Sequence, residues 1–155
     1  MRRISILGAV ALGVAALLSP ALPAAAQAAT SPVLIHEIYY NSPGPDRGSS
    51  ASLNAEWVQL YNRTTHRVTL THWTLRDAAR HPHVYTFGTY TLKAHGYVKI
   101  HTGKGSNTAA NRYWGHSWYI WNNTGDTATL KNAGGANQSR CSYSDPQRRH
   151  ASVTC

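Results

Sequence analysis

Asn54-Ala-Glu-Trp-Val-Gln-Leu-Tyr-Asn62 is the stretch that decides how this chain folds. A period of two places Val58 and Leu60 on one side of an extended strand and Trp57, Gln59 and Tyr61 on the other. An aliphatic face backed by an aromatic and polar one marks a half-buried antiparallel strand. Glu56 falls on the aliphatic side at the strand entrance, where a carboxylate needs a partner or water. Asn62 closes the run as a residue suited to a turn.

The rest of the chain repeats this format of a short extended run followed by a polar turn. Val33 to Tyr40 is rich in strand-favouring residues, with Leu34, His36 and Ile38 on one face and Val33, Ile35, Glu37 and Tyr39 on the other. Asn41 to Asn54 carries Pro43, Gly44, Pro45, Gly48 and several serines, a composition that resists both helix and ladder and predicts a long surface loop. Further runs follow at Arg67 to Leu70, Trp73 to Asp77, Val84 to Phe87, Thr89 to Leu92, Tyr97 to His101, Asp126 to Lys131 and Gln138 to Tyr143. Ala94-His95-Gly96 reads as a hairpin connection, with Gly96 free to take a positive φ and Lys93 and His95 at its exposed tip. Thr102 to His116 reads as a second long loop, and Asp145 to Cys155 as a tail. No window after the N-terminal leader has the 3.6-residue period of an amphipathic helix. Eight or nine short strands at about 8–12-residue spacing point to an all-β antiparallel sandwich or barrel.

Arg2 and Arg3, an apolar run from Ile4 to Leu18, and the small residues ending in Ala26-Gln27-Ala28 form a secretory signal peptide over 1–28. Cleavage after Ala28 leaves residues 29–155 as one secreted domain with no membrane span. Of the 15 Lys and Arg, Arg2 and Arg3 leave with the leader, so 13 face the 6 acidic residues and the mature charge is about +7. Such an excess favours polyanions, either nucleic acid or an acidic cell-surface polymer. Cys141 and Cys155 are the 2 cysteines, and an exported chain with an even count pairs them. Their bridge would tether the tail to the body of the domain.

The order of motifs carries a resemblance. Ile35-His-Glu-Ile-Tyr-Tyr-Asn41, a Pro/Asp/Ser loop, Asn54 to Asn62, Val68-Thr-Leu70 and Trp73-Thr-Leu-Arg-Asp77 come first. Tyr85-Thr-Phe87, Leu92 with Gly96-Tyr-Val98, the Gly103-Lys-Gly105 loop, Trp121-Asn-Asn-Thr-Gly-Asp126 and Ala128-Thr-Leu130 complete the series. Over residues 32–144 the chain resembles the lamin tail domain. The resemblance implies an immunoglobulin-like antiparallel β-sandwich, a fold found in nuclear lamins and in exported bacterial proteins, where it stands alone or is attached to nucleases and other hydrolases. It implies an interaction module that contacts proteins and DNA, and no catalytic residue set. Gln59 departs from the pattern, since members of the family commonly carry a second Glu there.

Catalytic chemistry finds little footing. His81-Pro82-His83 brings two imidazoles together, but there is no His-Glu-x-x-His helix and no cysteine pair with ligand spacing. His36 and Glu37 alternate, so a regular strand sends them to opposite faces. Calcium needs about six to eight oxygens, whereas Glu37, Asp46, Glu56, Asp77 and Asp126 are dispersed; Asp77 and Asp126 read as Asx-type turn contacts. Gly103-Lys104-Gly105-Ser106 imitates a phosphate loop but lacks the first glycine and the following helix, and reads as a hairpin loop. No cofactor or metal is called for.

The constellation of interest is aromatic. Tyr113, Trp114, Trp118, Tyr119 and Trp121 lie near Lys104, Arg112 and His116, offering faces for stacking sugars or bases and charges for phosphates. Trp121 and Trp73 are assigned to the core. Trp114 and Trp118, as the exposed members, together with Lys104 and Arg112 form the expected ligand-binding set. The reading is therefore a secreted, non-enzymatic binding module that engages a polyanion, or a protein partner at the cell surface, through basic and aromatic loops. The alternative is an exported hydrolase or nuclease with a His/Glu or metal-dependent site.

Overall fold

The computed structural model describes residues 30–155; the expected leader lies outside the described residues. In chain order its elements are β1 (Val33–Tyr39), α1 (Ser50–Ala55), β2 (Trp57–Asn62), β3 (Val68–Thr69), β4 (Thr74–Arg76), β5 (Val84–Thr86), β6 (Thr91–Leu92), β7 (Tyr97–His101), β8 (Asn111–Tyr113), β9 (Gly125–Lys131), β10 (Asn137–Ser144) and β11 (Ser152–Thr154). Burial along β2 follows its alternation: Val58, Leu60 and Asn62 are fully buried, and Trp57, Gln59 and Tyr61 are half-buried.

β2 is the middle strand of a five-stranded sheet ordered β11-β1-β2-β7-β8. All its pairings are antiparallel except that of β7 with β8. A four-stranded antiparallel sheet, β10-β9-β4-β5, packs against it, and β3 with β6 forms a small third pair. The core lies between the two large sheets. Ile35, Ile38, Val58, Leu60, Val98 and Ile100 meet Leu75, Ala128, Leu130 and Cys141, with Trp73, Phe87 and Trp121 filling the ends. Burying each large aliphatic side chain contributes about 1.5–3 kcal/mol. The assignment of Trp73 and Trp121 to the core holds.

The Cys141–Cys155 disulfide is present, with Cα atoms 5.8 Å apart. It joins β10 of one sheet to the residue that follows β11 in the other. The expected tail is more than a tether: Ser152, Val153 and Thr154 pair with Tyr39, Ile38 and Glu37 and close the open edge of β1.

Several local expectations are corrected. The loop at 41–54 contains a short helix, α1, whose N-cap Ser49 side chain accepts from Ser52 N–H and whose Leu53 is buried. Six residues are too few to show a period. The chain between β6 and β7 is not a hairpin, since β6 pairs with β3 and β7 with β2. His95, not Gly96, takes the positive φ there, at 50°. Gly96 is needed for space instead, because a Cβ would sit 2.9 Å from Lys93 O. The Gly103–Ser106 loop is likewise no hairpin, and returns the chain to run parallel to β7 as β8. In β1 the register shifts between Ile35 and Glu37, so Ile38 joins Val33 and Ile35 in the core rather than facing away from them.

Candidate binding surface

Register decides which side chains share the outer face of the five-stranded sheet, because partner residues on neighbouring strands point the same way. Tyr39, Trp57, His101 and Tyr113 are partners across β1, β2, β7 and β8 and form one row. Within it Tyr39 stacks on Trp57 at 5.4 Å and His101 on Tyr113 at 5.0 Å. The next row holds Glu37, Gln59, Lys99 and Asn111, and Lys99 Nζ lies 3.6 Å from the centre of a Trp57 ring. Below them Tyr61 stacks on Tyr97 at 4.6 Å, and the His36 ring stands edge-on 5.2 Å from Tyr97. Tyr97 is 45% exposed. These rings add nothing to the core between the sheets. They form a polarizable surface with a cation on it, suited to stacking planar rings or sugar faces beside an anion.

Two contacts fix the rim of this face. His101 Nδ1–H donates to Asn54 O at 2.7 Å, at the end of α1. The 103–106 loop lies against Tyr113, so closely that a side chain at Gly105 would run into the ring.

The four residues expected to bind a ligand divide. Trp118 is 57% exposed. Its indole rests on Gly48, where a Cβ would come within 2.9 Å of it. Lys104 is exposed and lines a cleft of about 170 Å³ that also includes Gly48 and Ser117, so Lys104 and Trp118 lie at one end of the sandwich. Arg112 turns inward, like its partner Ile100, and its guanidinium lies 4.0 Å over the Tyr90 ring. Trp114 is half-buried against the core, 6.2 Å from Trp121 and 5.7 Å from Tyr85, which corrects its placement as an exposed residue.

Charge is distributed unevenly between acids and bases. Glu56, Asp77 and Asp145 are buried. Glu56 Oε1 accepts from Thr102 Oγ1 at 2.6 Å and Ile120 N–H at 2.9 Å, while Oε2 has no partner. Burial pushes this carboxyl up to about 7, against the opposing effect of the hydrogen bonds. Asp145 accepts from His150 N–H, Arg149 N–H and Tyr40 Oη, and the His150 bond above all holds it below the usual carboxylate range. Asp77 accepts from His83 N–H and lies 2.7 Å from His83 Nδ1. Asp126 accepts from Thr127, Ala78 and Asn122 N–H, so Asp77 and Asp126 do bind backbone N–H groups near strand ends, but not those two residues on that an Asx turn would use. Among the described residues the two ion pairs are both His–Asp, and no Lys or Arg comes within 4.0 Å of a carboxylate.

His83 and His116 meet edge to face at 4.7 Å, and burial, then His83, holds His116 below its ordinary value. Among the described residues no group of three or more His, Cys, Asp or Glu is placed to hold a metal ion. None of their helices is long and apolar enough to cross a membrane.

The outer sheet face went unrecognised in the sequence as a site, although part of its signal is there. Trp57-x-Gln59-x-Tyr61 and Tyr97-x-Lys99-x-His101 each alternate ring and polar group with a period of two. What the sequence does not contain is the register that lays one beside the other. No curated protein matches the chain. The model of the lamin tail domain, a family of immunoglobulin-like interaction modules, matches residues 26–145. With two mainly antiparallel sheets packed face to face, the chain belongs to the lamin tail domain family.

Proposed function

We propose that this domain is an exported interaction module that binds a polyanion, using the aromatic outer face of the five-stranded sheet, with Lys104 as a further contact at one end. The observation that carries the reading is that none of the 13 Lys and Arg among the described residues is neutralised by a carboxylate, while three of the 6 acids are buried. Surface potential therefore stays positive, and an anionic polymer gains by releasing its counterions. Trp57, under Lys99, adds a stacking surface beside one of those cations. Rings of this kind favour a single strand, whose bases are free to stack, over a duplex. Export is supported by the Cys141–Cys155 bridge, which persists in an oxidising compartment.

The test is binding of the mature protein to a labelled single strand, its duplex and an acidic polysaccharide, from about 50 to 200 mM salt, with and without a chelator. The expected result is binding that weakens steeply with salt, preference for the single strand over the duplex, and intact nucleic acid. Absence of binding to all three at low salt would move the reading to a protein partner. Metal-dependent cleavage would move it to the hydrolase alternative.

A further inference from the structure

A second recognition site lies away from the sheet face. The cleft between the 41–49 loop, the segment after β8 and the turn before β11 has a volume of about 290 Å³, and Asp46, Trp118, Asn122, Asn123 and Arg148 line it. That volume is near the lower end of the range for small-molecule pockets, about 300 Å³. We propose that this cleft binds one pyranose ring of a neutral sugar through stacking on Trp118 and hydrogen bonds from vicinal hydroxyls.

Three features support the assignment. First, the indole is held in place yet left open. Gly48, at φ 69°, lets the backbone lie against Trp118, and the neighbouring Tyr119 is tied down by Ser52 Oγ at 2.6 Å. Trp118 remains 57% exposed in spite of this support. An indole that adds so little to the core, but is backed by a loop, offers a platform for the C–H face of a sugar.

Second, the polar groups have unused capacity. Asn123 Nδ2 donates to Asp46 Oδ2 at 2.9 Å, which leaves Asp46 Oδ1 and the Asn123 carbonyl oxygen able to accept. Arg148 has no carboxylate within 4.0 Å and donates only. A diol matches that set, since each hydroxyl donates to one neighbour and accepts from another.

Third, the charges select against an anion. Asp46 and Arg148 share the cleft with opposite signs, so it has no net charge to attract a carboxylate or phosphate. The site is thus distinct in chemistry from the polyanion surface.

The test is an NMR titration of the mature protein, following the Trp118 indole N–H and the Asn123 side-chain amide, the latter alone in the Trp118 variants, with methyl β-galactoside, methyl α-mannoside, N-acetylglucosamine and adenosine as probes. The expected result is saturable movement with at least one sugar at a Kd of about 1–10 mM, the weak end of specific binding, unchanged by added salt. Trp118→Ala, at an exposed position, should fold normally and lose at least about tenfold in affinity, with Trp118→Phe retaining most of it. Asp46→Asn should weaken binding with the platform intact. No saturable shift with any sugar, a response to adenosine alone, or binding that survives Trp118→Ala would each overturn the proposal. Salt dependence like that of polyanion binding would also do so.

Discussion

The two faces of β2 differ by a single residue step and have opposite roles. Toward the second sheet Glu56, Val58, Leu60 and Asn62 are wholly buried, and every polar atom there but Glu56 Oε2 is hydrogen-bonded. Asn62 alone joins His66 O, Lys93 O and Thr64 N–H, and so fastens two turns to the strand. Toward solvent Trp57, Gln59 and Tyr61 are half-buried and touch mainly other outward rings. Stability resides on one face, and the rings of the other are free for recognition. Substitutions one position apart should therefore separate folding from binding.

The largest effect belongs to the inner face. Leu60→Ala leaves a cavity between the sheets and should cost about 2–5 kcal/mol, read as the midpoint shift in urea unfolding. Glu56→Gln tests the same face through pH. Burial holds the folded Glu56 carboxyl at about 7, against an ordinary value of 4.5. A raised folded pKa means that its contribution is full below the unfolded value and is lost as pH rises through the folded one. Between about pH 4 and 8 the Gln variant should gain about 3 kcal/mol relative to the native protein, and equal pH profiles would show that Glu56 is more solvated than its burial implies.

Cys155→Ser opens a loop whose ends are 14 residues apart and should cost about 3 kcal/mol by loop-closure entropy. The edge pairing of β11 with β1 should then loosen first, visible as faster amide exchange at Val153. At the outer face, Trp57→Ala should cost under about 1 kcal/mol while weakening polyanion binding about tenfold. A variant that unfolds the protein would erase the distinction between the faces.

How much of this is legible in the sequence depends on how local the cause is. Val58 and Leu60 announce their burial by alternation alone, and Cys141 with Cys155 by count and compartment. α1, β8 and β11 are too short to carry a period, and each is defined by what it packs on: Leu53 in the core, β7 beside β8, β1 beside β11. His36 lies at a register shift that no composition signals, and this moves Ile38 to the core face. The ligand set read from Lys104, Arg112, Trp114 and Trp118 relied on closeness in sequence. Alternation sends Arg112 onto Tyr90 and Trp114 onto Trp121, so only Lys104 and Trp118 stay open at that end. The aromatic rows needed up to four strands in register, which is long-range information.

The most direct test of polyanion binding on the outer face is the salt dependence of single-stranded DNA affinity for the native protein, Lys99→Ala and Trp57→Ala. Log affinity should fall linearly with log salt, and Lys99→Ala should reduce the slope by about 0.7, the share of one phosphate contact on a single strand. Trp57→Ala should lower affinity at every salt concentration. Native-like affinity and slope in both variants would contradict it and place the binding surface elsewhere.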